Sequence, residues 1–510
     1  IMSKETDITE IDIDIDINSE KKVRTQYEDY PYPPRKDDEV VHTHGDTLEI
    51  MNHFCFNADS TFENFRVLVA GCGTGDSTTW LGIQLSEMGV KHEIIGLDIS
   101  KTNLEIAKKR ATNNGVTDIK WIHDSLLNLP EMKDIGKFDY INCSGCLHHL
   151  PDPLEGLKAL KSVLKPDGAM NIIVYATYGR TGVYQMQNLM RKINKEEENM
   201  QTKVDNTKST LVSLPGTNWF KRTQHLFRDH VVFEDIGIYD LFLHPQDRSY
   251  TVDQLFEWVD NADLRVIDLS SISKNKYLPE TFIKNKDFLD KINKLPLIEQ
   301  LSIGEIMCGT IIKHELYITN KKGNDVTEVK WDNKDKIPCI LNIPIKQMLI
   351  EACDSYEEYC KKYNTDIIYI PINGNSTINF KPRKYTKDII ELIDSKKTLG
   401  QILQEIVQKY KDSGEIITEK DILDDYYPIY RTICNNYGLM IYKKDQTIYP
   451  FEKKTNDEYE KYIQNAKEQS LKQKQNLLKD QRTKKVNKDV DKDKKKNKKN
   501  RRKKHKFRKG

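Results

Sequence analysis

The sequence predicts a doubly wound α/β fold on a mostly parallel sheet. Three observations carry that expectation. Short apolar runs alternate with helical stretches from residue 66 to 176. A glycine-rich turn, Gly71-Cys72-Gly73-Thr74-Gly75, lies between the first strand and the first helix. Single acids, Asp98 and Asp124, follow the second and third strands. Strands alternating with helices over this length imply a parallel sheet covered on both faces, joined by right-handed crossovers.

The elements follow in order. Arg66–Ala70 reads as a buried strand and Ser77–Met88 as a helix. Glu93–Leu97 is the second strand, ending at Asp98, and Ser100 is placed to cap a helix over Lys101–Asn113. Ile119–His123 and Lys137–Cys143 are strands three and four. A helix over Pro153–Leu164 is stopped by Lys165-Pro166-Asp167-Gly168, and Met170–Tyr175 is the fifth strand. Residues 177–250 are irregular in pattern. Thr251–Asn261 reads as a helix, with strands at Leu264–Leu269 and Lys313–Thr319. We expect an acidic, disordered segment over 1–21, an N-terminal flap over 22–60, and a catalytic domain over 61–320 with an insertion at 177–250. A linker over 321–335 then leads to an accessory α+β domain over 336–450 and a disordered basic tail over 451–510. Helices at Tyr385–Ile393, Leu399–Lys409 and Ile422–Asn435 with a strand at Gly438–Tyr442 suggest a winged-helix shape, a kind of module that binds nucleic acid or protein. No basic helix is present there, which favours packing or protein docking.

The formal net charge of +2 is a cancellation. Residues 471–510 hold 20 Lys/Arg against 4 Asp/Glu, and the other 470 hold 60 against 74. Such like-charge runs are disordered arms. This one suits nucleic acid, an anionic surface or an import receptor, or only keeps the chain soluble. Hydrophobic content is 37%, below the usual ~45–50%. No apolar run approaches the ~18–20 residues of a membrane span. Nine cysteines, odd in number and scattered, argue against a disulfide framework. We expect a soluble protein of a reducing compartment, cytoplasmic or nuclear.

The glycine-rich turn carries the chemistry. Glycines there let the chain turn tightly and let a ligand approach the main chain, and the next helix aims free N–H groups at it. The spacing is GxGxG, not the dinucleotide GxGxxG, which would need glycine where Asp76 stands. An acid at the end of the second strand can accept from both hydroxyls of a ribose, which is the role expected of Asp98. Asp124, with Leu126 beside the ring, suits an adenine. Cys143-Ser144-Gly145-Cys146 has metal-ligand spacing, but no second such pair exists. We expect no metal there and read the cysteines as lining the cleft.

Residues 66–176 resemble a class I S-adenosylmethionine-dependent methyltransferase, through VLVAGCGTGDST (67–78), IIGLDIS (94–100), HDSLLNLP (123–130), FDYINCSGCLHHLPDP (138–153) and LKPDGAMNIIVY (164–175). The resemblance implies a seven-stranded sheet with an antiparallel last strand, and S-adenosyl-L-methionine as cofactor. It implies that Gly71, Cys72, Gly73, Thr74 and Gly75 line the methionine and ribose. Asp98 and Ile99 would hold the ribose, Asp124, Ser125 and Leu126 the adenine, and Ser144 and Gly145 would face the methionine and sulfonium. The flanks, QYEDYPYPPR (26–35), TYGRTGVYQMQ (177–187) and HPQDRSYTVDQLFEW (244–258), are similar to bacterial-type methyltransferases with added C-terminal domains. Their layout resembles that of bacterial protein-lysine methyltransferases. His148, His149, Tyr178 and Tyr184 are the candidate catalytic residues, and Arg180 and Gln187 join Tyr178 and Tyr184 in a candidate substrate pocket. A protein side chain is the expected acceptor. The alternatives are a small molecule, suggested by HHLPDP, and a non-catalytic module that binds nucleic acid through the tail.

Overall fold

The computed structural model describes residues 19–269, 274–321, 328–341, 343–371, 377–435, 440–445 and 447. The expected acidic end and basic tail fall almost wholly outside them. The first helix, α1, is Ser19–Asp29, followed by α2, Leu48–Cys55. The central sheet then begins: β1 Phe65–Ala70, α3 Asp76–Met88, β2 His92–Asp98, α4 Lys101–Asn113, β3 Lys120–His123, β4 Phe138–Ser144, α5 Pro153–Ser162 and β5 Leu164–Ala176. After the insertion come β6 Ser249–Tyr250, β7 Leu264–Leu269 and β8 Lys313–Asn320. The strand order is β3-β2-β1-β4-β5-β8-β7, with the two-residue β6 pairing only with β5. Strands β1 to β5 are parallel, and β8 runs antiparallel to both of its neighbours. The expected sheet is therefore present. Its reversed strand is inserted between β5 and β7, and β6 is an addition.

The alternation of strand faces explains the layers. In β1, Val67 and Val69 join one apolar cluster while Leu68 and Ala70 join another on the opposite face, as side chains two apart must. Local signals set the helix ends. Ser100 accepts from the Asn103 N–H, and Asp152 accepts from those of Leu154 and Glu155 ahead of Pro153. Thr251 and Gln254 form a capping box.

One boundary differs from the sequence reading. The helix from Pro153 ends at Ser162, and β5 runs through the Lys165–Gly168 segment rather than starting after it. The segment forms a bulge: Leu164 pairs with Phe138, but Ala169 pairs with Tyr140. A Cβ on Gly168 would stand 3.0 Å from the carbonyl oxygens of Phe138 and Asp139, so glycine lets the bulge lie against β4.

The insertion, irregular in sequence, is helical. It contains α6 Thr181–Ile193, α7 Met200–Ser213, α8 Trp219–Thr223, α9 Asp229–Val232 and α10 Glu234–Phe242. Val183, Met186, Met190, Phe220, Ile238 and Phe242 give it its own apolar cluster. The accessory region holds β9 Ile337–Ile340, β10 Ile368–Pro371, β11 Thr377–Phe380, and, after residue 385, helices Thr386–Leu392, Leu399–Asp412 and Glu419–Cys434. The expected final strand, β12 Met440–Lys443, pairs antiparallel with β9. The sheet thus joins the two ends of the region. His53 of α2 ties it to the core, accepting from the Tyr442 N–H at 3.2 Å. Val329, in the segment expected as a linker, is buried and donates to the His53 carbonyl, so the described part of that segment is packed. No described helix is long and apolar enough to cross a membrane.

Candidate active site

The carboxyl ends of β1, β2, β4 and β5 open into a cavity of about 520 Å³. Ligands in open α/β sheets bind at this edge. Gly71, Cys72, Gly73, Asp98, Ile99, Asp124, Ser125, Leu126, Ser144, Gly145 and His149 all line it. The structure thus brings ten of the twelve expected cofactor residues to one surface. Thr74 and Gly75 support it from behind. Thr74 Oγ1 donates to the Pro33 carbonyl at 2.7 Å. Gly75 has φ +94°, and a Cβ there would stand 2.8 Å from the Ala107 Cβ. Gly75→Ala is therefore expected to cost about 1–3 kcal/mol, read as a lower thermal midpoint even without ligand.

Asp98 organises the loop. One carboxylate oxygen accepts from the Gly73 N–H at 2.8 Å and the other from the Ser100 N–H at 2.9 Å. Burial raises the carboxyl above its ordinary value, against the downward pull of those hydrogen bonds and of Asn103. Oδ1 also accepts from Asn103 Nδ2 at 3.4 Å, while Oδ2, with one donor, keeps a lone pair, and Asp98 lines the cavity. Gly73 is needed because a Cβ there would meet the Tyr32 carbonyl at 3.0 Å, at a φ of +52°. Among the described residues nothing lies within 4 Å of the Cβ position of Gly145, so space is open beside the end of β4. A carboxylate facing the cavity, bare main chain at Gly71 and Gly73, and room beside Gly145 fit an adenosine and a methionine moiety. Asp76, which breaks the dinucleotide pattern, is neutralised: Arg35 grips it through Nε and a 2.8 Å Nη2 contact, and Arg110 donates at 2.8 Å.

The N-terminal segment covers this site. Tyr27, Tyr32 and Pro33 line the cavity. Glu28 latches α1 onto the start of α4, accepting from the Lys101 N–H (2.8 Å), the Thr102 N–H (3.1 Å) and Thr102 Oγ1 (2.6 Å). A carboxylate at a helix N-terminus satisfies orphan donors. Burial works against the charged form of Glu28, but the Thr102 and Lys101 hydrogen bonds outweigh it and lower its pKa. Glu28→Ala is expected to speed tryptic cleavage after Lys21, Lys22 or Arg24 several-fold, with S-adenosylhomocysteine restoring protection; an unchanged cleavage rate would contradict the latch.

A polar cluster closes the far side. The rings of His149 and His244 stack at 3.8 Å, and Tyr27 shares a 3.3 Å hydrogen bond with His244 Nε2. The Arg180 guanidinium lies 3.5 Å from the Tyr175 ring centroid and 3.4 Å from Asp247. Asp240, on α10, lines the cavity with Tyr27, Tyr32 and Tyr175. Burial pushes the Asp240 carboxyl up to about 7, against the pull of Arg180. The three phenols are pushed up, first by burial and next by Asp240. Burial also holds His148 and His149 below the usual histidine value, so both are neutral near pH 7.

The expected catalytic residues separate. His149 reaches the cavity. His148 is fully buried behind it, 4.0 Å from the Tyr175 ring. Tyr178 and Tyr184 do not line it: α6 starts at once, leaving Tyr178 partly exposed and engaging the Tyr184 hydroxyl with Arg180 Nε at 3.2 Å. Sequence reasoning missed Asp240 and Tyr175. Tyr175 ends a predicted strand, a position that faces the cleft, and could have been found. Asp240 had no local signal.

A methyltransferase domain family model matches residues 61–230. With the sheet order and the cavity, this makes the core a class I S-adenosylmethionine-dependent methyltransferase domain. Among relatives, an uncharacterized Synechococcus protein is 29% identical over 56% of this chain and 66% of its own length. The ubiquinone biosynthesis O-methyltransferase of Haemophilus ducreyi is 31% identical over 26% of this chain and 56% of its own. The chain spans just under two thirds of the length of the Synechococcus relative and of a further one from Rickettsia prowazekii. The structure of PKMT2 from Rickettsia typhi in complex with AdoHcy superposes with a TM-score of 0.54, at 16% identity, over 81% of this chain and 78% of the other. That likeness establishes a shared fold.

Proposed function

We propose that the chain methylates an amine, the lysine side chain of a protein, using S-adenosylmethionine. The observation that carries this reading is Asp240, a buried carboxyl that shares the cavity with Tyr27, Tyr32 and Tyr175. A lysine arrives as an ammonium, and it must lose a proton before its nitrogen can attack. Ring faces and a carboxylate are what hold such a cation, and a carboxyl near 7 takes its proton at neutral pH. The bound cofactor supplies a methyl group on a sulfonium that leaves without being protonated. Gly71, Gly73, Asp98, Asp124, Leu126, Ser144 and Gly145 would hold it. The flap residues Tyr27, Tyr32 and Pro33 exclude water and fix the angle of approach.

A protein acceptor is favoured by the insertion. The helices that lead to Asp240 expose Val212 (87%), Val231 (69%) and Trp219 (54%), apolar groups available to a protein acceptor. The small-molecule reading rests on relatives such as the Haemophilus enzyme, whose match covers only a quarter of this chain. The test offers the purified protein lysine-containing peptides and, separately, a phenol. Methylation of the amine and not of the hydroxyl is expected; label on the phenol alone refutes the reading.

A further inference from the structure

We propose a metal-binding site for one divalent transition cation, such as zinc, formed by His148, His149 and Asp247. One ligand atom from each of these side chains lies within 4.8 Å of the others. The hydrogen bonds around them leave those atoms without partners. His149 Nδ1 is within 2.8 Å of the Gln246 carbonyl, which can only accept. Nδ1 must therefore carry the proton, and Nε2 is left with its lone pair. Asp247 Oδ2 accepts from Gln187 Nε2 at 2.8 Å and from Arg180 at 3.4 Å, while Oδ1 has no partner among the described residues. Both nitrogens of His148, a fully buried ring, lack a partner among the described residues.

Buried polar atoms are normally satisfied, and orphans concentrated in one place need an explanation. A metal ion supplies one for Asp247 Oδ1 and for one nitrogen of His148, and it takes the lone pair of His149 Nε2; the other His148 nitrogen keeps no partner among the described residues. Around His149 and Asp247 the surroundings have the form of outer-shell support: His149 donates its other nitrogen to a backbone carbonyl, and Asp247 is held by its second oxygen. Two histidines and a carboxylate are a common three-ligand set that leaves a position for water. Bonds of ~2.0–2.1 Å put tetrahedral ligand atoms about 3.3 Å apart, so the site closes by small side-chain rotations. Arg180 lowers the attraction for a cation, and Asp247 with Asp240 offsets it. The ion would tie the 147–149 turn to the 244–247 loop behind His149, at the acceptor end of the cavity. The inference does not depend on the amine reading.

The test is metal analysis of the intact chain purified without chelator, then zinc titration of the stripped protein followed by thermal midpoint and by the visible spectrum of the cobalt(II) form. The expected result is about one zinc per chain and a midpoint that rises with zinc. The cobalt bands should show nitrogen and oxygen ligation. His148→Ala and Asp247→Asn should each weaken zinc by about 100-fold or more and remove the bands; Gln187→Ala, which touches no ion, should weaken it about 10-fold. The exposed His225→Ala serves as control and should change nothing. A wild-type chain with no zinc, no midpoint shift and no cobalt bands overturns the proposal, as does zinc held equally by all variants.

Discussion

Asp98→Ala is expected to abolish measurable binding of S-adenosylmethionine in calorimetry while the chain stays folded. The carboxylate would hold the ribose, and charge-assisted hydrogen bonds are worth about 1.5–3 kcal/mol each. Two of them correspond to a loss of about 10²–10⁴-fold. The substitution also frees the N–H groups of Gly73 and Ser100, which Asp98 now holds. The Gly-rich loop therefore loses its anchor as well as its ligand contact. Asp98→Asn keeps the shape but offers one acceptor where there were two, and should fall between. Binding by Asp98→Ala within threefold of wild type would remove Asp98 from the cofactor site.

Asp240→Asn should lower kcat for an amine acceptor by about 10²–10⁴-fold, the range of a general base, and leave the Kd for S-adenosylhomocysteine unchanged. The pH dependence gives the second readout. The folded carboxyl sits near 7, above its ordinary ~3.9. Below about 7 it is protonated and cannot accept the ammonium proton; above it, it can. Wild-type activity should rise through pH 7 to a plateau, and Asp240→Asn should lose that limb while keeping a low, flatter rate. A variant with wild-type kcat would show that the acceptor arrives neutral or that another group takes its proton.

The half of the site that would hold the cofactor was legible because its signals are local. Each strand is an apolar run that ends at a polar turn, and Gly71 to Gly75, Asp98 and Asp124 all stand at those ends. The capping residues Ser100 and Thr251 are local too. The acceptor half was not legible, because its meaning is tertiary. Asp240 lies on a short helix in a stretch without clear periodicity, and it becomes distinctive only where Tyr27 and Tyr32, some 200 residues earlier, fold over it. The Tyr- and Pro-rich segment was visible as a unit, but its latches, Glu28 on α4 and Pro33 on Thr74, join residues that no spacing relates. His148 and His149 are neighbours in sequence, yet a 3₁₀ turn sends one to the cavity and the other behind it. The strand β12 was expected, but its partner β9 lies about 100 residues upstream.

The most direct test of methyl transfer to protein lysine is to incubate the purified chain with methyl-labelled S-adenosylmethionine and an extract of its own source cells. Macromolecules are then separated from small metabolites, and the protein fraction is hydrolysed to amino acids. The expected result is label in methylated lysine of a few proteins, absent with Asp98→Ala and strongly reduced with Asp240→Asn. Label confined to the small-molecule fraction, or found in protein residues other than lysine, would contradict it.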